Sequence, residues 1–148
     1  MDLGLCQRVV PAGEWDGAYD LVSLTYEERL LRRKRLVTVH GETFLVDLPK
    51  ATSLNQRDAL ALNDGRLIEV IAADEQLVEI RGELALLAWH IGNRHTPCQI
   101  EDERLLIRAD HVMEEMLKLL GASLSRVTEP FRPESGAYGH GRVMGHSH

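Results

Sequence analysis

Short apolar runs separated by turn residues mark the first half of the chain. Residues 36–39 and 44–46 are rich in β-branched and aromatic side chains, which favour strands. Between them, Gly41 supplies the positive φ that a tight turn requires, so a β-hairpin is predicted. The turn signal Asn-Asp-Gly at residues 63–65 leads into a further apolar run at residues 67–71. The first half is therefore predicted to be β-rich.

The second half alternates between strand and helix patterns. The predicted elements are a strand over residues 77–80, a helix over 83–91, strands over 98–100 and 104–107, a helix from Asp110 to Gly121 and a strand over 123–127. Asp110 is the expected N-cap of the second helix, and Gly121 is its expected stop. The order strand, helix, strand, strand, helix, strand is the ferredoxin-like βαββαβ pattern.

These patterns predict an α+β chain in three parts. Residues 1–73 form a small β-rich domain, and residues 74–130 form the ferredoxin-like domain. After Pro130, the glycines and Pro133 disfavour a regular helix or strand over residues 131–148. This last part, called the tail below, is predicted to be flexible, and it contains His140, His146 and His148.

The second predicted helix separates into apolar and polar positions. The apolar positions, expected to face the core, are Val112, Met113, Met116, Leu117, Leu119 and Leu120. His111, Glu114, Glu115 and Lys118 follow the spacing i, i+3, i+4 and i+7, which predicts one polar face away from the core. His111 occupies the first turn, where the helix dipole favours the neutral, metal-binding form of imidazole. A solvated histidine with no ligand role is the alternative.

The tail histidines are a second set of candidate metal ligands. Imidazole suits nickel, copper and zinc, and short histidine-rich tracts commonly bind such metals. A solvated tail or a fragment of a purification tag would give the same pattern. His90 and His95 flank the end of the first predicted helix, where capping together with Arg94 is the favoured interpretation.

Composition narrows the function classes. The chain has 148 residues and a net charge of -6, from 17 basic and 23 acidic residues, so a nucleic-acid partner is not expected. The two cysteines, Cys6 and Cys98, form no CxxC pair, which fits a reducing compartment. No signal peptide or membrane span is visible, and the expected location is cytoplasmic. No catalytic set stands out, so the chain is not expected to be an enzyme.

Three motifs resemble a known family. Residues 89–97, WHIGNRHTP, are followed by DHVMEEML at residues 110–117 and PFRPESGAY at residues 130–138. All three, in this order and spacing, resemble signatures of the urease accessory protein E (UreE) family. The motifs lie in the part of the chain from residue 89 onwards, and the β-rich first half is compatible with the family.

The resemblance implies a fold and a function. Family members have a first domain proposed to bind peptide or protein, and a ferredoxin-like second domain that forms a homodimer. The histidine that matches His111 lies at the dimer interface, where two copies face one metal ion. Members carry Ni(II), also bind Zn(II) and sometimes Cu(II), and pass nickel to the GTPase that works with apo-urease in the assembly machinery. Metal-linked oligomers beyond the dimer are left open.

The main hypothesis is therefore a nickel metallochaperone with paired His111 at its centre and His140, His146 and His148 as auxiliary ligands. The tail has only three histidines, and residues 123–127 have none, so neither multi-ion storage nor a site on the last strand is expected. The alternative is a protein-interaction adaptor with incidental metal binding. Its docking patch would be the basic run Arg29, Arg32, Arg33, Lys34 and Arg35. A small enzyme is the weakest alternative.

Overall fold

The computed structural model describes residues 2–134 and is an α+β structure with two sheets and two helices. It divides into two compact units, with the boundary between Ala73 and Asp74. Within the described residues, neither helix has the length and apolar character needed to cross a membrane. The units are described separately below.

The first unit is a six-stranded sheet with the strand order β2-β6-β5-β1-β4-β3. Its strands are β1 (Asp2–Val10), β2 (Asp20–Leu24), β3 (Leu30–Val37), β4 (Thr43–Ser53), β5 (Ala59–Leu62) and β6 (Leu67–Ala72). β1 pairs with β4 and β2 with β6 in parallel, whereas the other pairs are antiparallel. Alternate residues of β4, Phe44, Val46 and Leu48, are buried in the core, as the two-residue period of a strand requires.

Both predicted turns of this unit are confirmed. β3 and β4 form an antiparallel hairpin around Gly41, whose φ is 87°. Gly65, with a φ of 96°, lies between the antiparallel strands β5 and β6. The first hairpin strand begins earlier than predicted, at Leu30. It also ends earlier, at Val37, because Thr38 already belongs to the turn and its carbonyl accepts the N–H of Gly41.

Four members of the basic run lie on β3, at one end of the strand order, and Arg29 directly precedes that strand, so the run is not one solvated face. Arg29 is buried, with 3% of its surface exposed, and its guanidinium donates to a backbone carbonyl five residues earlier. Arg33 and Arg35 pair with carboxylates at 2.8 and 3.0 Å. Among the described residues, only Arg32 and Lys34 of this run are exposed without a recorded ion pair. The predicted five-residue patch is therefore wrong for Arg29.

The second unit has the element order that the sequence predicts. Its elements are β7 (Asp74–Arg81), α1 (Leu84–Asn93), β8 (Gln99–Ile100), β9 (Leu105–Arg108), α2 (His111–Leu119) and β10 (Ser123–Pro130). The strand order is β10-β7-β9-β8, and every pair is antiparallel. Alternate strand residues, including Val78, Ile80 and Ile107, form a cluster with Leu87 and Leu117 of the helices. The two helices therefore pack on one face of the sheet.

The start of the tail differs from its predicted flexible state. Phe131 is fully buried. The backbone N–H of Arg132 donates to Oε1 of Gln99 at 2.8 Å, and that of Glu134 donates to the carbonyl of Cys98 at 2.9 Å. Residues 131–134 are therefore packed on the second unit, because the buried Phe131 side chain and these two hydrogen bonds outweigh the lack of a regular element. The remainder of the tail, with His140, His146 and His148, lies outside the described residues.

Candidate metal centre

The first turn of α2 is fixed by reciprocal capping. Asp110 is the predicted N-cap, and its Oδ1 accepts the backbone N–H of Met113 at 3.2 Å. In return, Oε2 of Glu114 accepts the N–H of Asp110 at 2.9 Å. The other oxygen of that carboxylate lies 2.9 Å from Nη2 of Arg126 on β10. This arrangement satisfies backbone donors that a helix start otherwise leaves unpaired.

His111 is the first residue of α2 and is exposed to solvent. No hydrogen bond or ion pair of its imidazole is recorded within residues 2–134. The backbone beneath the ring is held by the Asp110 cap, while the ring itself can accept a partner from outside the unit. An exposed imidazole on a fixed backbone is a candidate metal ligand.

The predicted polar face of α2 is wrong at Glu114. Only 9% of this residue is exposed, because its carboxylate is used by the N-terminal cap and by Arg126. The usual capping pattern places the acidic residue three positions after the cap, whereas here it lies four positions after Asp110. Sequence reasoning therefore missed the role of Glu114.

The apolar residues of α2 do not all face the core. Val112 is 78% exposed and Leu119 is 88% exposed. They are seven residues apart, about two helical turns, so they lie on the same side of the helix. On α1, Leu86 and Trp89 are exposed at a spacing of three residues. These four are the large apolar side chains that the two described helices leave exposed.

The predicted capping at the end of α1 is confirmed for Arg94. Its backbone N–H donates to the carbonyl of Ile91 at 3.1 Å, and its guanidinium donates to the carbonyl of His90 at 3.3 Å. The imidazole of His90 meets the Trp89 ring edge-on, with 5.0 Å between ring centroids. His95 has a φ of 59°, the left-handed conformation common just after a helix.

The thiol of Cys98 is partly buried, in surroundings that favour its protonated form. Its burial raises its pKa to about 11, and the carboxylate of Glu134 contributes further. A thiolate is the form that binds metals, and it is scarce at neutral pH when the pKa is this high. Burial also raises the pKa of Cys6, which lies in the core of the first unit.

The described residues do not complete a metal site within one chain. No group of three or more His, Cys, Asp or Glu side chains in residues 2–134 is arranged to hold an ion. Of the four predicted ligands, His111 lies within the described residues, and His140, His146 and His148 lie beyond them.

Residues 131–134 and the start of α2 lie at the same end of the four-stranded sheet. β8 and β9 are antiparallel, with Gln99 opposite Leu106, so Cys98 lies at the end of the sheet where β9 finishes. α2 begins three residues after that end of β9. The hydrogen bond from Glu134 to Cys98 places the last described residue of the tail at the same end.

Removing the cap tests how firmly the helix start is held. Asp110→Ala deletes the acceptor for the N–H of Met113, and we expect a loss of about 1 kcal/mol in the free energy of unfolding. Urea unfolding followed by circular dichroism measures it. Asp102→Ala, an exposed carboxylate in the β8–β9 turn, is the matched control and should change stability by less than about 0.5 kcal/mol. Equal losses in both variants would show that the cap contributes nothing specific.

Comparison with known proteins assigns both units. The model of the N-terminal domain of UreE urease accessory protein matches residues 7–73, and that of the C-terminal domain matches residues 68–148. A urease accessory protein UreE from Ruegeria pomeroyi is 60% identical over 149 residues, covering 100% of both chains. One from Rhodobacter capsulatus is 62% identical, covering 95% of this chain and 90% of its own. One from Cereibacter sphaeroides is 58% identical, covering 99% and 81%. The chain therefore belongs to the UreE family of urease accessory proteins.

Proposed function

We propose that the protein carries Ni(II) for assembly of the urease active site, with the ion shared by His111 of two chains. The observation that supports this proposal best is the exposed imidazole at the capped start of α2, beside the exposed Val112 and Leu119. One histidine is a poor site for nickel, which accepts several nitrogen or oxygen ligands. In a two-fold dimer, each chain contributes its His111, so the ion gains two imidazole ligands.

The exposed apolar side chains support a homodimer. A two-fold interface places the same surface of each chain against its copy, so a residue close to the axis lies close to itself. Val112 and Leu119 would be buried in such an interface, and His111 lies beside Val112 on the same helix. Burying two large aliphatic side chains per chain stabilises a dimer by roughly 1.5–3 kcal/mol for each side chain.

The fold and the tail fit the same proposal. The element order and the strand order β10-β7-β9-β8 support the ferredoxin-like interpretation of the second unit.

His140 follows Glu134 by six residues, which can span about 20 Å when extended. His140, His146 and His148 then serve as auxiliary ligands that can exchange, as a carrier that must release its ion requires. Zn(II) and Cu(II) compete for such a site, and intrinsic affinity favours copper.

Transfer of nickel to urease tests this function. The chain loaded with one Ni(II) per dimer is mixed with apo-urease and the remaining accessory proteins, including the GTPase, with no other nickel present. We expect urease activity to appear with the loaded chain and not with the metal-free chain. Equal activation by the same amount of free Ni(II) in the absence of the chain would refute a carrier role. The proposal places the protein in the cytoplasm, and no catalysis is ascribed to it.

An adaptor role is the second candidate. The observation that favours it is the exposed side chains of Arg32 and Lys34 on β3, which have no ion pair within residues 2–134 and could meet an acidic partner. Pull-down of the urease GTPase in the presence of a chelator separates the two proposals. Binding that is as strong without metal as with it, and weaker for Arg32→Glu/Lys34→Glu, would favour the adaptor.

A further inference from the structure

We propose that the Glu114–Arg126 pair positions His111 for nickel binding, because it holds the backbone at the start of α2 in one place. The inference rests on the proposed function, since it concerns the ligand at the centre of that function. The two side chains act as positioning residues, through the peptide groups on either side of Asp110, and not as ligands. Their contacts all lie within the described residues of the second unit.

Glu114 holds both peptide groups that flank Asp110. Its Oε2 accepts the backbone N–H of Asp110 at 2.9 Å, and its own backbone N–H donates to the carbonyl of Asp110 at 2.9 Å. That carbonyl belongs to the planar peptide group that ends at the Cα of His111. The plane from which the His111 side chain extends is therefore fixed by Glu114.

The carboxylate of Glu114 is fully engaged in this task. The residue is buried, and its second oxygen, Oε1, lies 2.9 Å from Nη2 of Arg126. A buried carboxylate is costly to leave unpaired, so the two contacts together determine where each oxygen points. Glu114 is consequently suited to hold the helix start and not to bind the ion itself.

Arg126 connects the helix start to the sheet. On β10, an edge strand, it lies opposite Val78 of β7, which belongs to the core between the sheet and the helices. Residues directly opposite in an antiparallel pair project from the same face, so Arg126 projects from the face on which α2 packs. Glu114 is thus held by a second element, which does not depend on the helix for its own conformation.

Charge and positioning predict opposite effects for Arg126. A guanidinium close to the start of α2 repels Ni(II), so its removal would tighten nickel binding if it acted by charge alone. If Arg126 positions Glu114, its removal weakens nickel binding. In a two-fold site each substitution displaces both His111 ligands, so the loss applies twice. The sign of the change therefore separates the two roles.

The test measures the Ni(II) affinity of full-chain variants by competition with a chelator, with His111→Ala alongside. Glu114→Ala removes the acceptor for the Asp110 N–H, whereas Glu114→Gln keeps an oxygen for that bond and removes only the charge. Arg126→Met removes the partner of the carboxylate. Arg81→Met is the matched control, because it removes a glutamate pair with a similarly exposed arginine, 54% against 61%, at the other end of β10.

We expect nickel binding to weaken about ten-fold in Glu114→Ala and about three-fold in Arg126→Met, at or below the usual range for outer partners of a metal ligand. Glu114→Gln and Arg81→Met should remain within about two-fold of the native affinity. Urea unfolding of the metal-free variants should show similar losses for the two arginine variants, so stability alone cannot explain the difference in affinity. The Arg126 side chain is largely exposed, and Arg126→Met therefore keeps the test decisive if Glu114→Ala is unstable.

Three results would overturn the proposal and leave the proposed function standing. They are unchanged binding in Glu114→Ala, unchanged or tighter binding in Arg126→Met, and an equal loss for Glu114→Gln and Glu114→Ala. The last two would show that charge, and not the position of the backbone, determines the affinity. A native chain without a tight nickel site, or a site unchanged by His111→Ala, would remove the proposed function and this inference together.

Discussion

Replacing His111 by alanine is expected to abolish the tight nickel site while leaving the fold intact. The imidazole is exposed and has no recorded hydrogen bond within residues 2–134, so its removal leaves no buried group unsatisfied. In a two-fold site each substitution removes two ligands at once. Loss of even an outer partner of a metal ligand commonly costs about 10–100-fold in affinity, so loss of both ligands should cost more than about 100-fold.

Isothermal titration of the full chain with Ni(II) measures the loss of the tight site. Thermal unfolding of the same samples measures whether the fold is intact. His40→Ala is the matched control, because that ring is also exposed, with 76% of its side chain accessible, but it bonds Asp20 in the first unit. We expect His40→Ala to bind nickel as the native chain does. A tight site that survives His111→Ala would exclude His111 from metal binding.

Replacing Arg104 by methionine is expected to cause a large loss of stability, because it leaves three paired carboxylates without their shared partner. The Arg104 side chain is 19% exposed, and its guanidinium pairs with Glu79, Glu101 and Glu129 in one charged cluster. Removing it leaves three carboxylates close together. Breaking a fully buried pair costs about 3–5 kcal/mol, and partial exposure of these glutamates reduces this to about 2 kcal/mol.

The same cluster makes stability depend on pH. Arg104 holds the pKa of Glu79, Glu101 and Glu129 below the ordinary 4.5. A carboxyl with a depressed folded-state pKa stabilises the fold above its unfolded-state pKa, and that contribution is lost as the pH falls through the folded-state value. The native chain should therefore lose stability below a pH of about 4.5, and Arg104→Met should lose much less over that range.

Urea unfolding at pH 7 and at pH 3 measures these differences. Arg33→Met is the matched control, because it removes a single exposed pair with Asp47, and it should cost less than about 1 kcal/mol. Two results would contradict the assigned role of the cluster. One is that both arginine variants lose the same free energy of unfolding at pH 7. The other is that the difference in this free energy between Arg104→Met and the native chain is the same at pH 3 as at pH 7.

The element order of the second unit could be predicted because its signals are local. Asp110 and Gly121 delimit α2 by capping, and short β-prone runs mark the strands. The packing of Phe131 could not be predicted in this way. Gln99, which accepts the backbone N–H of the following residue Arg132, is distant in sequence, and the local composition gives no sign that one aromatic residue is buried.

The candidate site was predictable only in part. His111 was found from its helix position and from the motif around it, but the exposure of Val112 and Leu119 was not. A count of apolar positions assigns all of them to the core, although a helix of nine residues packs only one side on the sheet. Apolar residues left on the other side fit an interface that a single chain does not contain.

Equilibrium dialysis of the full chain against Ni(II) tests the shared site most directly. Light scattering at the same concentration gives the mass of the particle that binds the ion. We expect one tightly bound ion for every two chains, in a particle of twice the mass of the chain. One tightly bound ion per chain in particles of single-chain mass, or no bound nickel at all, would contradict a site formed by His111 from two chains.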